Sequence, residues 1–369
     1  MTHEAASAHS RRGRRRTSRT SRIGRTSRIR FASVVSVAVM VLGSALTTAG
    51  SASAAGADRS GAQVASGTDG SRTAAGAFTP YVDVSLEPSY DLLGNAGETG
   101  VKEYNLAFVT SGGGCTPKWG GVQELGDNAV AQQVEELRAM GGDVRISFGG
   151  ASGSELGLVC GSADELAKAY GEVVEAFDLK KADFDIEGAA LPDTAANTRR
   201  AQAIAQLQEA HPDLDVSVTL PVLPEGLTPE GTALLENAAA NGVDVSAVNI
   251  MAMDYGPSYD GDMGEYALEA ATATQAQVKT ALGIEDDAEA WRTVAVTPMI
   301  GVNDVVVEVF TPEDAAEVAQ FAREKNLAWL SMWSATRDKP CPGGPKDEAD
   351  ATCSSIEQGE NDFTRAFTG

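Results

Sequence analysis

Lys181-Ala182-Asp183-Phe184-Asp185-Ile186-Glu187-Gly188 departs from the pattern of every other strand-like run in the sequence. Alternate residues of a strand share a face and rise about 6.6 Å per pair. Ala182, Phe184 and Ile186 therefore form one face, and Asp183, Asp185 and Glu187 the other. In a closed barrel the apolar set packs against helices and all three carboxylates point inward. Burying isolated charges costs several kcal/mol each, so packing alone does not select such a row. Close carboxylates cannot all ionise easily: repulsion and desolvation raise at least one pKa and keep a proton available near neutral pH. Glu187, last on the strand, reaches the barrel mouth and suits a general acid. Asp185, one pleat deeper, can share its proton or stabilise a developing positive charge. A Ca2+ or Mg2+ site and a solvated acidic strand are the alternatives. Metal ligands usually come from a flexible loop, and alternation with Phe and Ile argues against solvent.

On both sides of this segment strand and helix signals alternate. Short runs rich in Val, Ile or Phe lie at 81–85, 104–110, 144–148, 182–186, 215–221, 247–253, 293–299 and 328–333, as expected of strands buried on both faces. Helical stretches fall between them at 129–140, 163–177, 194–210, 229–241, 266–282 and 312–325, with a closing helix within 354–367. Thr311, Pro312 and Asp314 make a clear helix start. The connection 86–102 is the weakest unit. Eight strands alternating with helices over about 290 residues predict a single-domain (β/α)8 TIM barrel, with chemistry at the strand C-terminal ends. An open doubly wound sheet is the other arrangement, but no G-x-G-x-x-G follows the first strand.

The acidic strand resembles the active-site strand of glycoside hydrolase family 18, the chitinases, whose pattern is D-x-x-D-x-D-x-E. The last three acids match, and Lys180 stands where the first is expected. Ser147-Phe148-Gly149-Gly150 resembles the family's S-x-G-G, with Gly149 and Gly150 allowing close approach on the sugar side. Asn249-Ile250-Met251-Ala252-Met253-Asp254-Tyr255-Gly256 resembles M-x-Y-D. Met251 and Asp254 match, Met253 replaces the tyrosine, and Tyr255, of the same parity, is expected to supply the hydroxyl. Trp333 resembles the tryptophan that floors the sugar site. Trp119 and Asp83 are weaker candidates for which core or surface roles serve equally.

The resemblance spans the body from Phe78 to Phe367. It implies chitin or chito-oligosaccharides as substrate, with no cofactor and no metal. Glu187 would protonate the glycosidic oxygen while the substrate's acetamide attacks the anomeric carbon. Asp185 would orient the acetamide, backed by Asp183, with Tyr255 and Asp254 hydrogen-bonding the sugar. About 28 residues between strands seven and eight leave no room for a large inserted lobe, which implies an open cleft and endo-type cutting. An endo-β-N-acetylglucosaminidase acting on N-glycans and a non-catalytic sugar-binding barrel are the alternatives. Loss of Glu187 would mark the latter, and Glu187 is present.

Charge sorts the remaining chain. The 369 residues carry 29 Lys+Arg against 52 Asp+Glu, a formal −23. Ten of the basic residues and only one acid, Glu4, lie in 1–54, so the rest holds 19 basic and 51 acidic residues, net −32. Such a body repels nucleic acid and anionic lipid but not an uncharged polymer. Residues 1–54 read as a signal peptide: a basic stretch Arg11–Arg30, an apolar segment from Phe31 to about Ala49, then small residues at A-x-A spacing up to Ala54. An uncleaved anchor is the alternative. Gly-, Ala- and Ser-rich residues 55–77 read as a flexible linker, leaving 78–369 as the catalytic domain. The product is expected to be secreted, extracellular, free of the membrane after cleavage, and monomeric. His211, the only histidine outside the leader, reads as a helix C-terminal residue before Pro212. Four cysteines in a secreted chain suggest two disulfides, and loop positions favour Cys115–Cys160 and Cys341–Cys353.

Overall fold

A computed structural model describes residues 76–369. The expected signal peptide and nearly all of the expected linker lie outside the described residues. The barrel strands are β1 (Ala77–Phe78 and Tyr81–Asp83, interrupted at Pro80), β2 (Glu103–Ser111), β3 (Asp143–Gly149), β4 (Lys181–Asp185), β5 (Asp215–Leu223), β6 (Ala247–Ala252), β7 (Val294–Pro298) and β8 (Trp329–Leu330). Each pairs in parallel with the next. The two halves of β1 close the ring: Ala77 and Phe78 pair with Trp329 and Leu330, and Tyr81 N donates to Met332 O. On the other side Tyr81, Val82 and Asp83 pair with Asn105, Leu106 and Ala107 of β2. The sheet is thus the expected (β/α)8 barrel. The N–H of Gly76, the first described residue, donates to Leu327 O.

Helices α1 (Leu92–Thr99), α2 (Val134–Ala139), α3 (Ala163–Ala176), α4 (Thr194–Ala210), α5 (Pro229–Ala240), α6 (Met263–Leu282), α7 (Pro312–Lys325) and α8 (Asp362–Thr368) surround it. The capping box of Thr311 and Asp314 opens α7, and His211 is the C-cap of α4. Outward apolar residues of the strands meet this ring. Phe148 and Phe184, on adjacent strands, stack with centroids 5.3 Å apart, and Tyr170 of α3 packs edge-on against both. This packing fixes the parity of β4: with Ala182, Phe184 and Ile186 outward, Asp183 and Asp185 must face the barrel interior.

Disulfides join Cys115 to Cys160 and Cys341 to Cys353. The first ties the connection after β2 to the connection after β3; the second closes a loop after β8. Between β7 and β8 lie only α7 and a two-stranded hairpin, Gly301–Val302 with Val309–Phe310. Among the described residues no helix is long and apolar enough to cross a membrane.

Candidate active site

Asp183 sits at the bottom of the site, fully buried, and both its oxygens are engaged. Oδ2 accepts from Tyr81 Oη on β1 at 2.9 Å and from Ser147 Oγ on β3 at 2.6 Å. Oδ1 accepts from Ser217 Oγ and Thr219 Oγ1 on β5, at 2.6 and 2.9 Å. Asn249 and Thr297 extend the network across β6 and β7. The inward row of β4 therefore begins on a platform of hydroxyls contributed by its neighbours in the ring.

One pleat higher, Asp185 is also buried, but its Oδ1 has no hydrogen-bond partner among the described residues. Burial, then the charges of Glu187 and Asp183, hold its carboxyl well above the usual carboxylate range. Glu187 lies past the end of β4 and is half-buried. Burial, and then the nearby Asp254 charge, raise its pKa too. Two neighbouring carboxyls, at the end of β4 and just past it, whose burial and nearby charges favour the protonated form are suited to supply a proton.

Both carboxyls open into a cleft of about 500 Å³ at the C-terminal mouth of the barrel. Trp333, just past β8, and Phe108 of β2 form an aromatic wall, stacked with centroids 5.5 Å apart and planes 25° apart. Tyr81 packs against both rings. Met251, Met253, Met299 and Pro221 add apolar surface, and Thr219 and Thr297 add hydroxyls. An amphipathic ring with an apolar face and polar edges, such as a pyranose, fits this mixture.

No protein-family model matches the sequence. Two curated proteins are similar to it. A probable bifunctional chitinase/lysozyme of Escherichia coli strain K12 is 38% identical over 277 residues, covering 71% of this chain and 31% of that protein. Endochitinase 11 of Metarhizium anisopliae is 37% identical over 275 residues, covering 71% of this chain and 52% of that protein. The chain thus spans about a third and about half the length of these relatives. Among solved structures, the catalytic domain of a hyperthermophilic chitinase from Pyrococcus furiosus superposes with a TM-score of 0.72 and 34% identity. That match covers 79% of this chain and 94% of that domain. The chain belongs to glycoside hydrolase family 18.

Within the family-18 pattern, the departures acquire physical explanations. Lys180, in place of the first acid, is exposed on the opposite end of β4 and pairs with Asp178. Met251, Met253, Asp254 and Trp333 line the cleft. Tyr255 does not. The expectation that it replaces the family tyrosine assumed that alternation continues past Met253, but β6 ends at Ala252 and Asp254 adopts a left-handed φ of 51°. That turn presents Asp254 to the cleft and sends Tyr255 into a cluster with Tyr259 and Tyr266. There its ring is buried and, chiefly through burial, its phenol is pushed far above the ordinary value.

Trp119 likewise lies outside the cleft lining. It is 1% exposed, packs edge-on against Phe177, and donates its indole N–H to Leu125 O. Asp83 accepts from Ser85 N and Oγ at the end of β1 and is not part of the cleft lining. Gly149 and Gly150 pack against the backbone and ring of neighbouring strands. A Cβ on Gly149 would lie 2.1 Å from Asp185 O, and one on Gly150 would lie 2.8 Å from the Phe108 ring. Their positive φ values, 104° and 83°, and their small size let β3 close over the backbone that carries Asp185. Gly149→Ala is expected to cost at least about 2 kcal/mol through backbone strain and collision. A thermal melt and a kcat measurement on one preparation check it, and an unchanged melt contradicts the assignment.

Among the residues not singled out by the sequence are Tyr81, Phe108 and Asp304 of the cleft lining and, behind it, Glu308. Tyr81 and Phe108 look like ordinary strand aromatics until the ring closes around them. Asp304 and Glu308 did leave a signal, as the only acids in the valine-rich run Val302-Asn303-Asp304-Val305-Val306-Val307-Glu308-Val309.

Proposed function

We propose that the chain is a secreted chitinase that cleaves β-1,4-linked N-acetylglucosamine polymers with retention of configuration, using the substrate's own acetamide. The observation that carries this reading is the pair Asp185 and Glu187: two carboxyls with raised pKa values, at the end of β4 and just past it, in a cleft walled by Trp333 and Phe108. The structure of catalytic-site mutants of the Pyrococcus furiosus chitinase domain, complexed with chito-oligosaccharides, supports the substrate class.

Glu187 donates its proton to the glycosidic oxygen as the bond to the anomeric carbon breaks. The acetamide carbonyl oxygen attacks that carbon from the other face and forms an oxazolinium ion, and the unpartnered Asp185 Oδ1 takes the acetamide N–H. In this step the pair carries one proton, on Glu187, so that the ionised Asp185 balances the positive charge, with Asp183 beneath it. Glu187, now a carboxylate, accepts a proton from the water that opens the ring, so two inversions give net retention. Asp254 hydrogen-bonds the sugar at the cleft edge, without the help of Tyr255.

The short β7–β8 connection leaves the cleft without an inserted wall, which supports cutting within a chain. Chromatography of the first products from colloidal chitin is expected to show a ladder of oligomers, and disaccharide alone in the first minutes contradicts endo action. Proton NMR of those products is expected to show the β-anomer first; initial α-anomer contradicts retention. A high-mannose glycoprotein assayed beside the chitin separates an N-glycan hydrolase from this reading. Secretion rests on the leader, and the protein recovered from culture medium is expected to begin near Ala55.

A further inference from the structure

The turn that carries Asp254 is held from outside β6 by a buried carboxylate. Glu308, at the end of the hairpin loop between β7 and α7, has no exposed surface. Its Oε2 accepts from Tyr255 N at 3.1 Å and its Oε1 from Gly256 N at 2.7 Å. The clamp is reciprocal, since Asp254 Oδ1 accepts from Val305 N of the same hairpin at 2.9 Å. The hairpin is itself anchored: Arg337 Nη2 donates to Ile300 O and Val302 O, and Asn303 Nδ2 donates to Met299 O and Gly301 O. A non-glycine residue in the left-handed region persists only where its surroundings over-determine it. Here the two amides that follow Asp254 are both fixed by one side chain.

We propose that Glu308 is a positioning residue for hydrolysis: by clamping the Tyr255 and Gly256 amides it fixes Asp254 in the cleft that Glu187 also lines, and so sets the pH range in which Glu187 donates its proton. The proposal rests on the reading of Glu187 as the acid. Among the described residues the charged neighbours are these: Asp185 below and Asp254 across the cleft face Glu187. Asp304, Arg337 and Glu308 face Asp254, and Tyr255 and Asp254 face Glu308. Of these, Asp254 is held in place by the clamp, and its charge favours the protonated form of Glu187. An acid must be protonated to act, so releasing Asp254 moves the upper limit of activity to lower pH.

The test is the pH profile of kcat/KM on a chito-oligosaccharide for the whole enzyme. Glu308→Gln keeps the shape of the side chain, but its amide can accept only one of the two N–H groups. Its basic limb is expected to fall by about half a pH unit or more. Asp254→Asn is expected to shift the limb the same way, and the double variant to match Asp254→Asn alone, because the clamp acts through Asp254. Asp338→Asn is the structural control. Asp338 is another buried carboxylate that accepts two backbone amides, those of Phe363 and Thr364, but it does not line the cleft. It should lower the melting temperature and leave the limb in place. Should Glu308→Gln not fold, Glu308→Asp, which shortens the reach by one methylene, carries the same expectation. A Glu308 profile superposable on the parent, additive shifts in the double variant, or an equal shift in Asp338→Asn overturns the proposal. If instead Glu187→Gln keeps its activity, it is the assignment of the acid that fails.

Discussion

Glu187→Gln is expected to lower hydrolysis of chito-oligosaccharides by about 10³-fold or more, the upper part of the range for loss of a positioned general acid. It removes both the proton donated to the leaving oxygen and the base that later receives one from water. The same variant is expected to melt within about a degree of the parent. Burial and the Asp254 charge already favour the neutral carboxyl at this position, and the amide is neutral and of the same size. Binding of a chito-oligosaccharide, followed by titration calorimetry, should therefore survive while product release on a chromatogram disappears. Retention of most activity shows that another group donates the proton; loss of binding together with activity shows that Glu187 holds the sugar rather than cleaving it.

Asp183→Ala is expected to produce the larger loss of stability, at least about 3 kcal/mol. The hydroxyls of Tyr81, Ser147, Ser217 and Thr219 all donate to this carboxylate inside the barrel. Each buried hydroxyl left without an acceptor costs about 1–3 kcal/mol, and Tyr81 and Thr219, 3.0 Å apart, can recover part of this through each other. For a domain of this size the melting temperature should fall by about 6 °C or more. Activity falls as well, since Asp185 loses the charge beneath it. A melt within a degree or two of the parent shows that the four hydroxyls find other acceptors, and that Asp183 serves only the chemistry above it.

Much of the frame was legible because it is governed by periodicity. The end of α4 follows from His211-Pro212 and the start of α7 from Thr311, Pro312 and Asp314, and the parity of β4 follows from Phe184 and Ile186 needing the helix ring. The acidic row could be read for the same reason: burial makes three carboxylates on one face improbable without a use. What escaped reading was local backbone. Tyr255 was expected in the cleft by extending alternation through Asp254, whose left-handed φ ends it; aspartate tolerates that conformation without requiring it. The double role of Gly149 and Gly150, against Asp185 O and the Phe108 ring, depends on distances between strands. Trp119 was undecidable from its neighbours, since a tryptophan in a loop can cover a core as readily as a cleft. Glu308 depends on a partner more than fifty positions away.

The hydroxyl platform under Asp183 also bears on how the enzyme is made. Its donors sit on β1, β3 and β5, and a slip of one residue in any of those strands turns its hydroxyl to the outer face. No partly registered barrel can therefore assemble the platform, and β1, at the start of the described chain, must be seated before it is complete. Catalysis thus reports on strand register, and its return during refolding would time the closing of the ring.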